Sequence, residues 1–465
     1  MKIALLATAL LACAAACSSS VLPTDKPSMA VKVDAGHYIA GGIKVSLKSP
    51  VILPVAALET ESVKGEEIVL PDKNPSLVVG PGVPKKVAGP IDTMTTLPRI
   101  LDADSVKVYS GNTIYVKDKD YSIDPVWGAI WKLEHSSIPS DGKGSIGCSI
   151  PNGVKGSIGC SIPNGVKVSI DYTVNKTRID LVQATKSGKV SIKKGAPAIV
   201  CPSAPAPDAG CVPMANIYLP YGTKAITNAN IFPVSKESRT WKDFVSVSGA
   251  DTLSQIRAKL RDGKPVTIVC WGDSVTQGYS ASKKENGYVE QFRKLLQAAY
   301  PKTQITLINA GIAGTSTVGR LPAYDKEVLS YKPDLITAEF INDTLYEPEA
   351  IAKNYGTAVA QARAINPNVN FIIITPHMVV KEFQGHYEQM IPAIRKAAVD
   401  NKVAVADASN IWQHLPDAQI PFESLLANGI NHPNDLGHRF FAECLMKLLA
   451  PTASSGDHCT CDGCK

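Results

Sequence analysis

Apolar and polar residues alternate with period two through much of the chain before about residue 200. Ile43-Lys44-Val45-Ser46-Leu47, Val106-Lys107-Val108 and Val168-Ser169-Ile170-Asp171-Tyr172-Thr173-Val174 each put apolar side chains on one face, as half-buried strands require. No convincing amphipathic helix is visible before about residue 240. The pattern predicts an all-β module over residues 18–194, most plainly a sandwich. From about Ser238 the period changes. Val266-Thr267-Ile268-Val269-Cys270 is a continuous apolar run of the buried-strand type, and Tyr288, Phe292, Leu295, Leu296 and Ala299 mark one face of a helix. Strands are then expected at Gln304 to Asn309, Asp334 to Glu339, Asn370 to Thr375 and Ala404 to Asp407. Helices are expected at Ala350 to Asn366, Gln389 to Asn401 and Asp435 to Ala450, the last with Phe440, Phe441, Cys444, Leu445, Leu448 and Leu449 facing inward. Such alternation predicts an α/β domain over 238–452, with a parallel sheet covered on both faces.

Two segments interrupt these patterns. Gly144 to Lys155 recurs letter for letter as Gly156 to Lys167. Two Gly-rich copies cannot stack into a solenoid, which needs at least three repeats, so the duplication reads as a lengthened hairpin loop at a surface tip. Between Gly195 and Pro233 the chain carries seven prolines, and 195–237 is expected to be a linker between the two domains.

The 465 residues fit two or three domains, and 45% apolar against 19% charged residues is enough for packed cores. The net charge of +6 is spread without a long basic block, which gives no case for nucleic acid as a partner. Lys2 followed by the apolar or small run Ile3 to Ala16, with Ser18-Ser19-Ser20 after Cys17, reads as an export signal over 1–17. Its end resembles a bacterial lipobox, which implies lipidation at Cys17 rather than Cys13, and the alternative is an ordinary secretory signal. An exported envelope protein, membrane-anchored through lipid or secreted, is therefore expected. Of the 11 cysteines, Cys201 and Cys211 bracket a loop short enough to be closed by a disulfide. The Cys-rich tail, 453–465, is read as oxidised or unstructured rather than zinc-bound.

The chemistry gathers in the second half. At the end of the first apolar strand stands Trp271-Gly272-Asp273-Ser274-Val275-Thr276-Gln277-Gly278, where a parallel sheet presents its ligands. Asn309-Ala310-Gly311-Ile312-Ala313-Gly314-Thr315 follows the second strand and Ile341-Asn342-Asp343 the third. His432-Pro433-Asn434-Asp435-Leu436-Gly437 precedes the last helix. In order and spacing these resemble the four blocks of the SGNH (GDSL-type) hydrolase superfamily over about 262–452. The resemblance implies a flavodoxin-like three-layer α/β/α sandwich. It also implies Ser274 as nucleophile and His432 as general base. The Ser274 N–H, the Gly314 N–H and the Asn342 side-chain amide would then form an oxyanion hole.

Two departures stand out. Phe340 replaces the Gly usual two residues before the third-block Asn, and is expected to reshape the site. Gly429 replaces the Asp usual three residues before the catalytic His, so the orienting carboxylate is missing. A backbone carbonyl, Asn428 through its side-chain oxygen, Glu423 and Asp407 are the candidates to orient His432. Asp435-Leu436-Gly437-His438 is a literal Asp-x-x-His, but it lies where a helix cap and first turn are expected. The reading is an exported serine esterase needing no metal or cofactor. By analogy with bacterial carbohydrate esterases that carry a jelly-roll-like β partner, its ester substrate is an acetylated glycan. The alternatives are a lipid or aryl esterase, or a catalytically weak or inactive surface lipoprotein that binds glycans.

Overall fold

The computed structural model describes residues 21–40, 43–70, 101–124, 129–138, 167–234 and 239–451. Cys17, the 144–167 duplication up to Val166, and the Cys-rich tail lie outside them.

The N-terminal half is sheet-rich, as its alternation predicts, and it packs around two cores. In the first sheet, Thr60–Val69, Lys167–Asn175, Leu101–Ser110 and Thr113–Tyr115 lie side by side. Val168, Ile170, Tyr172 and Val174 face one way against Val106, Val108, Tyr121 and Ile130. In the second, the order is Val190–Lys193, Arg178–Thr185, Cys211–Leu219, Ile231–Pro233. Its core joins Val182, Ala215, Ile217 and Leu219 to Val31, Val33 and Val45.

The expected linker is therefore corrected. Residues 195–237 supply an inner strand, Cys211–Leu219, and an edge strand, Ile231–Pro233. Proline is tolerated because Pro213 falls where the pairing with Arg178–Thr185 shifts register, and Pro233 ends the edge strand. The expected disulfide is corrected as well, since Cys201 and Cys211 are both free thiols. Cys211 opens a strand opposite Thr185, whereas the Cys201 thiol faces the Asn434 amide of the other domain at 3.7 Å. Burial pushes the Cys201 thiol up to about 11.

The C-terminal half is a three-layer α/β/α sandwich. We label its strands β1 (Ser246–Ser248), β2 (Val266–Gly272), β3 (Ile305–Gly311), β4 (Leu335–Glu339), β5 (Asn370–Ile374) and β6 (Ala404–Asp407). They lie in the order β1-β6-β5-β4-β2-β3, parallel except for β1. Side chains alternate between the faces. Ile268 and Cys270 join the core under helices α1 (Ser254–Arg261), α3 (Tyr288–Ala299) and α6 (Asp435–Leu449), with the short α2 (Ser274–Gln277) between α1 and α3. Val269 and Trp271 join the opposite core under α4 (Pro348–Ile365) and α5 (Tyr387–Asp400). Because the chain leaves β2 for β3 on one side and returns to β4 on the other, β2 marks the point where strand order reverses. Its carboxyl end is where an open α/β sheet leaves a crevice.

Candidate active site

Ser274 begins α2 directly after β2. The turn is tight enough that a Cβ on Gly272 would overlap the Thr276 hydroxyl and the Glu339 carbonyl oxygen, so glycine is required there. Asp273 caps the turn and ties two blocks together, one carboxyl oxygen accepting from Val275 N at 3.0 Å and the other from Asn342 N at 3.0 Å. Asn342 Nδ2 in turn donates to the Thr315 carbonyl at 2.9 Å, and Gly314 beside it adopts a left-handed φ of 70°. The loops after β2, β3 and β4 thus meet around one point. The structure also fixes them with a residue the sequence did not flag. Arg320, 4% exposed, donates to the Gly272 and Ala310 carbonyls at 3.0 Å each and pairs with Glu327 at 2.6 Å.

His432 arrives from the loop before α6, and its Nε2 lies 2.8 Å from Ser274 Oγ. Both side chains are nearly buried, Ser274 at 4% and His432 at 9% exposed. Burial, reinforced by the neighbouring His438, pushes His432 down to about 3, so the ring is neutral across the ordinary pH range.

Of the candidates to orient His432, only Asn428 touches it, and in the opposite sense to that expected. Its Oδ1 accepts from the backbone N–H groups of Ile430, Asn431 and His432 at 2.9–3.0 Å. The amide nitrogen is therefore the end that faces the ring, donating to His432 Nδ1 at 2.8 Å and to Asn431 Oδ1 at 2.8 Å. Asn431 is itself held from below, its carbonyl accepting from His377 Nε2 at 2.9 Å, and the buried His377 is pushed down to about 3. Gly429, at the usual place of the carboxylate, has a φ of 72° that disfavours any side chain.

The remaining candidates are engaged elsewhere. Glu423 accepts from the Tyr218 hydroxyl at 3.2 Å across the boundary with the β region. Asp407 accepts from Thr375 and pairs with Arg395 at 2.8 Å. Asp435 accepts from Ser282 and from Asn286 Nδ2, while Asn434 caps α6 by accepting from Gly437 N. His438 accepts from Tyr288 N and donates to the Tyr279 carbonyl, which leaves no Asp435–His438 pair. Phe340 also departs from expectation. It is 1% exposed and packs edge-on against Trp271 at 4.7 Å, in the core under α4 rather than in the site, because strand parity turns it to that face.

Behind Ser274 three carboxyl groups are fully buried. Burial raises Asp273, and raises Glu339 well above the carboxylate range with Asp273 adding to the effect. Asp343 is pushed up to about 7 by burial, although its Oδ1 accepts from Thr317 N and the Thr317 hydroxyl. Among the described residues no group of three or more His, Cys, Asp or Glu could hold a metal ion, and no helix is long and apolar enough to cross a membrane.

Residues 270–440 match the model of the GDSL-like Lipase/Acylhydrolase family. No curated protein matches the chain. Among solved structures it is similar to a two-domain esterase active on acetylated mannans, with 22% identity over 43% of this chain and 52% of that one and a TM-score of 0.38. It is also similar to a catalytic mutant of Axe2, an acetylxylan esterase from Geobacillus stearothermophilus, with 19% identity over 40% of this chain and 95% of that one and a TM-score of 0.35. A third is LAE5, an α/β hydrolase enzyme from the metagenome of Lake Arreo, with 20% identity over 40% and 94% and a TM-score of 0.33. The match spans little more than half the length of the two-domain esterase.

Proposed function

From the GDSL-like lipase/acylhydrolase domain at residues 270–440, we propose that this chain is a serine esterase. The observation that carries the reading is the 2.8 Å contact between Ser274 Oγ and His432 Nε2 at the carboxyl end of β2. Ser274 Oγ attacks the acyl carbonyl carbon as His432 takes its proton. The N–H groups of Ser274 and Gly314 and the Asn342 amide receive the developing oxyanion, which is usually the largest contribution to such catalysis. His432 then gives the proton to the leaving alcohol, and water repeats the cycle on the acyl-enzyme.

The small exposure of Ser274 favours a short acyl group such as acetyl, and the export signal read over residues 1–17, together with a β region in contact with the catalytic half, supports an acetylated glycan as its carrier. Turnover of p-nitrophenyl acetate that disappears in Ser274→Ala tests the chemistry. Acetate release from acetylated mannan or xylan, compared with cleavage of a long-chain p-nitrophenyl ester, tests the substrate. Equal turnover by wild type and Ser274→Ala rejects the reading.

The second reading, a weakly active or inactive glycan-binding surface lipoprotein, is favoured by one observation, the amide rather than carboxylate facing His432 Nδ1. In either case the Cys17-Ser18-Ser19-Ser20 junction supports lipidation of Cys17 and attachment to the membrane of a bacterial envelope. Mass spectrometry of the mature N-terminus checks this, and an unmodified terminus beyond Cys17 rejects it.

A further inference from the structure

The direction of the hydrogen bond between Asn428 and His432 decides where the imidazole proton sits. Backbone N–H groups only donate, so the three that converge on Asn428 from Ile430, Asn431 and His432 identify the atom they meet as oxygen. The amide nitrogen must then lie on the other side. Its two hydrogens are both placed, one on Asn431 Oδ1 and one on His432 Nδ1. Turning the amide over would put three N–H groups against an NH2 group, so the orientation is strongly held.

A ring nitrogen that accepts a hydrogen bond carries no proton. Neutral His432 therefore holds its single proton on Nε2, and the contact with Ser274 runs from Nε2–H to Oγ. A base needs the reverse arrangement, with a lone pair on Nε2 and the proton on Nδ1. The titratable groups facing His432 do not supply it. Tyr279 lies across a ring-centroid distance of 5.8 Å, and burial keeps His377 and His438 neutral.

We infer that Asn428 is a positioning residue that holds His432 in the Nε2–H tautomer, so that the resting Ser274–His432 pair is turned away from general-base catalysis. The catalytic half of this inference rests on the esterase reading above. Turnover then requires the ring proton to pass from Nε2 to Nδ1, with no net gain or loss, and the Asn428 hydrogen bond to be given up. Replacement by aspartate reverses the preference. One carboxylate oxygen keeps the three backbone donors, the other accepts from Nδ1–H, and Nε2 is left open to the Ser274 proton. The opposite exchange, carboxylate to amide, costs a Ser-His-Asp enzyme about 10⁴-fold in kcat.

The test uses the full chain labelled with ¹⁵N-histidine, in wild type and Asn428→Asp. Two-bond and three-bond ¹H–¹⁵N correlations report which ring nitrogen is protonated, and the His432 signals are identified by their loss in His432→Ala. The expected spectra show Nε2–H in wild type and Nδ1–H in Asn428→Asp. p-Nitrophenyl acetate turnover should rise at least about tenfold in Asn428→Asp, and its acid limb should move to higher pH because a carboxylate favours the protonated ring. Nδ1–H in wild type overturns the inference from the native protein alone, even if the variant fails to fold. A folded Asn428→Asp with the tautomer reversed but no gain in rate overturns the catalytic half. Absence of Ser274-dependent turnover in both proteins, with the spectra as expected, removes the esterase reading and leaves the tautomer assignment standing.

Discussion

Replacing Asp343 with asparagine should change the slope of stability against pH. Asp343 is fully buried, and its carboxyl is held near 7 against 3.8 for the free group. Between those two values the folded state keeps a proton that the unfolded chain has released, so this group lowers stability as pH rises through the window. At about 1.4 kcal/mol per pH unit, the effect accumulates to about 4 kcal/mol by about pH 7. Asparagine titrates nowhere and escapes the loss. In wild type Asp273 and Glu339, also raised by burial, add to this slope, and it is opposed by His377, His432 and His438, held near 3, 3 and 4. Their folded-state values lie below the ordinary 6.5, so they lose stability as pH falls, the opposite sign. The quantity to measure is therefore the difference between Asp343→Asn and wild type. The Tyr355 hydroxyl lies beside the Asp343 carboxyl, and exchanging the second carboxyl oxygen for NH2 there adds a pH-independent cost of about 1–3 kcal/mol. That cost moves the level of the difference and leaves its slope alone. Urea unfolding followed by tryptophan fluorescence should show Asp343→Asn gaining on wild type by about 1.4 kcal/mol per pH unit between about pH 4.5 and about pH 6.5. A difference that stays flat across that range would refute the assignment of a protonated Asp343.

Three further outcomes follow from the site. His432→Ala should depress turnover as far as Ser274→Ala, with the double variant no worse because the pair acts as a unit. By contrast Asp435→Asn, which keeps one oxygen for Ser282 N but loses the one that accepts from the Ser282 hydroxyl and Asn286 Nδ2, should cost about 0.5–1.5 kcal/mol in unfolding free energy with turnover nearly intact. Gly429→Asp should destabilise by about 1–2 kcal/mol, the cost of a left-handed L-residue, and leave the acid limb of the pH–rate profile in place. A limb shifted to higher pH would mean the new carboxylate does reach His432.

The α/β half was legible because its strand runs are buried on both faces and its helices keep a one-sided period, and the four blocks stood out because each follows a strand or precedes a helix. The strand Cys211–Leu219 was hidden by Pro213 and by a fault in its alternation. Val212 and Met214 alternate across Pro213, but the buried Ala215 and Ile217 fall out of step with them, and the register shift against Arg178–Thr185 makes the proline acceptable. At the site, Ser274 and His432 could be named from sequence, whereas Arg320 could not, and His377 could be placed near the mouth but given no role there. Their contacts are with the carbonyls of Gly272, Ala310 and Asn431, and nothing in the local sequence marks a backbone atom as an acceptor. Asn428 was named with the wrong end foremost. Which end faces His432 depends on three backbone N–H groups whose direction exists only once the turn has formed.

The loop that presents His432 is fastened partly from outside its own domain. Asn216 reaches the Gln419 carbonyl at 3.1 Å, Tyr218 reaches Glu423 and Cys201 meets Asn434, so the loop between residues 419 and 434 is clasped by the second β core. A gene rearrangement that cut the chain near residue 238 would pass on an intact sheet and the Ser274 turn but leave the clasp behind. A module exchanged for the β region would have to bring its own partners for the Gln419 carbonyl, Glu423 and Asn434.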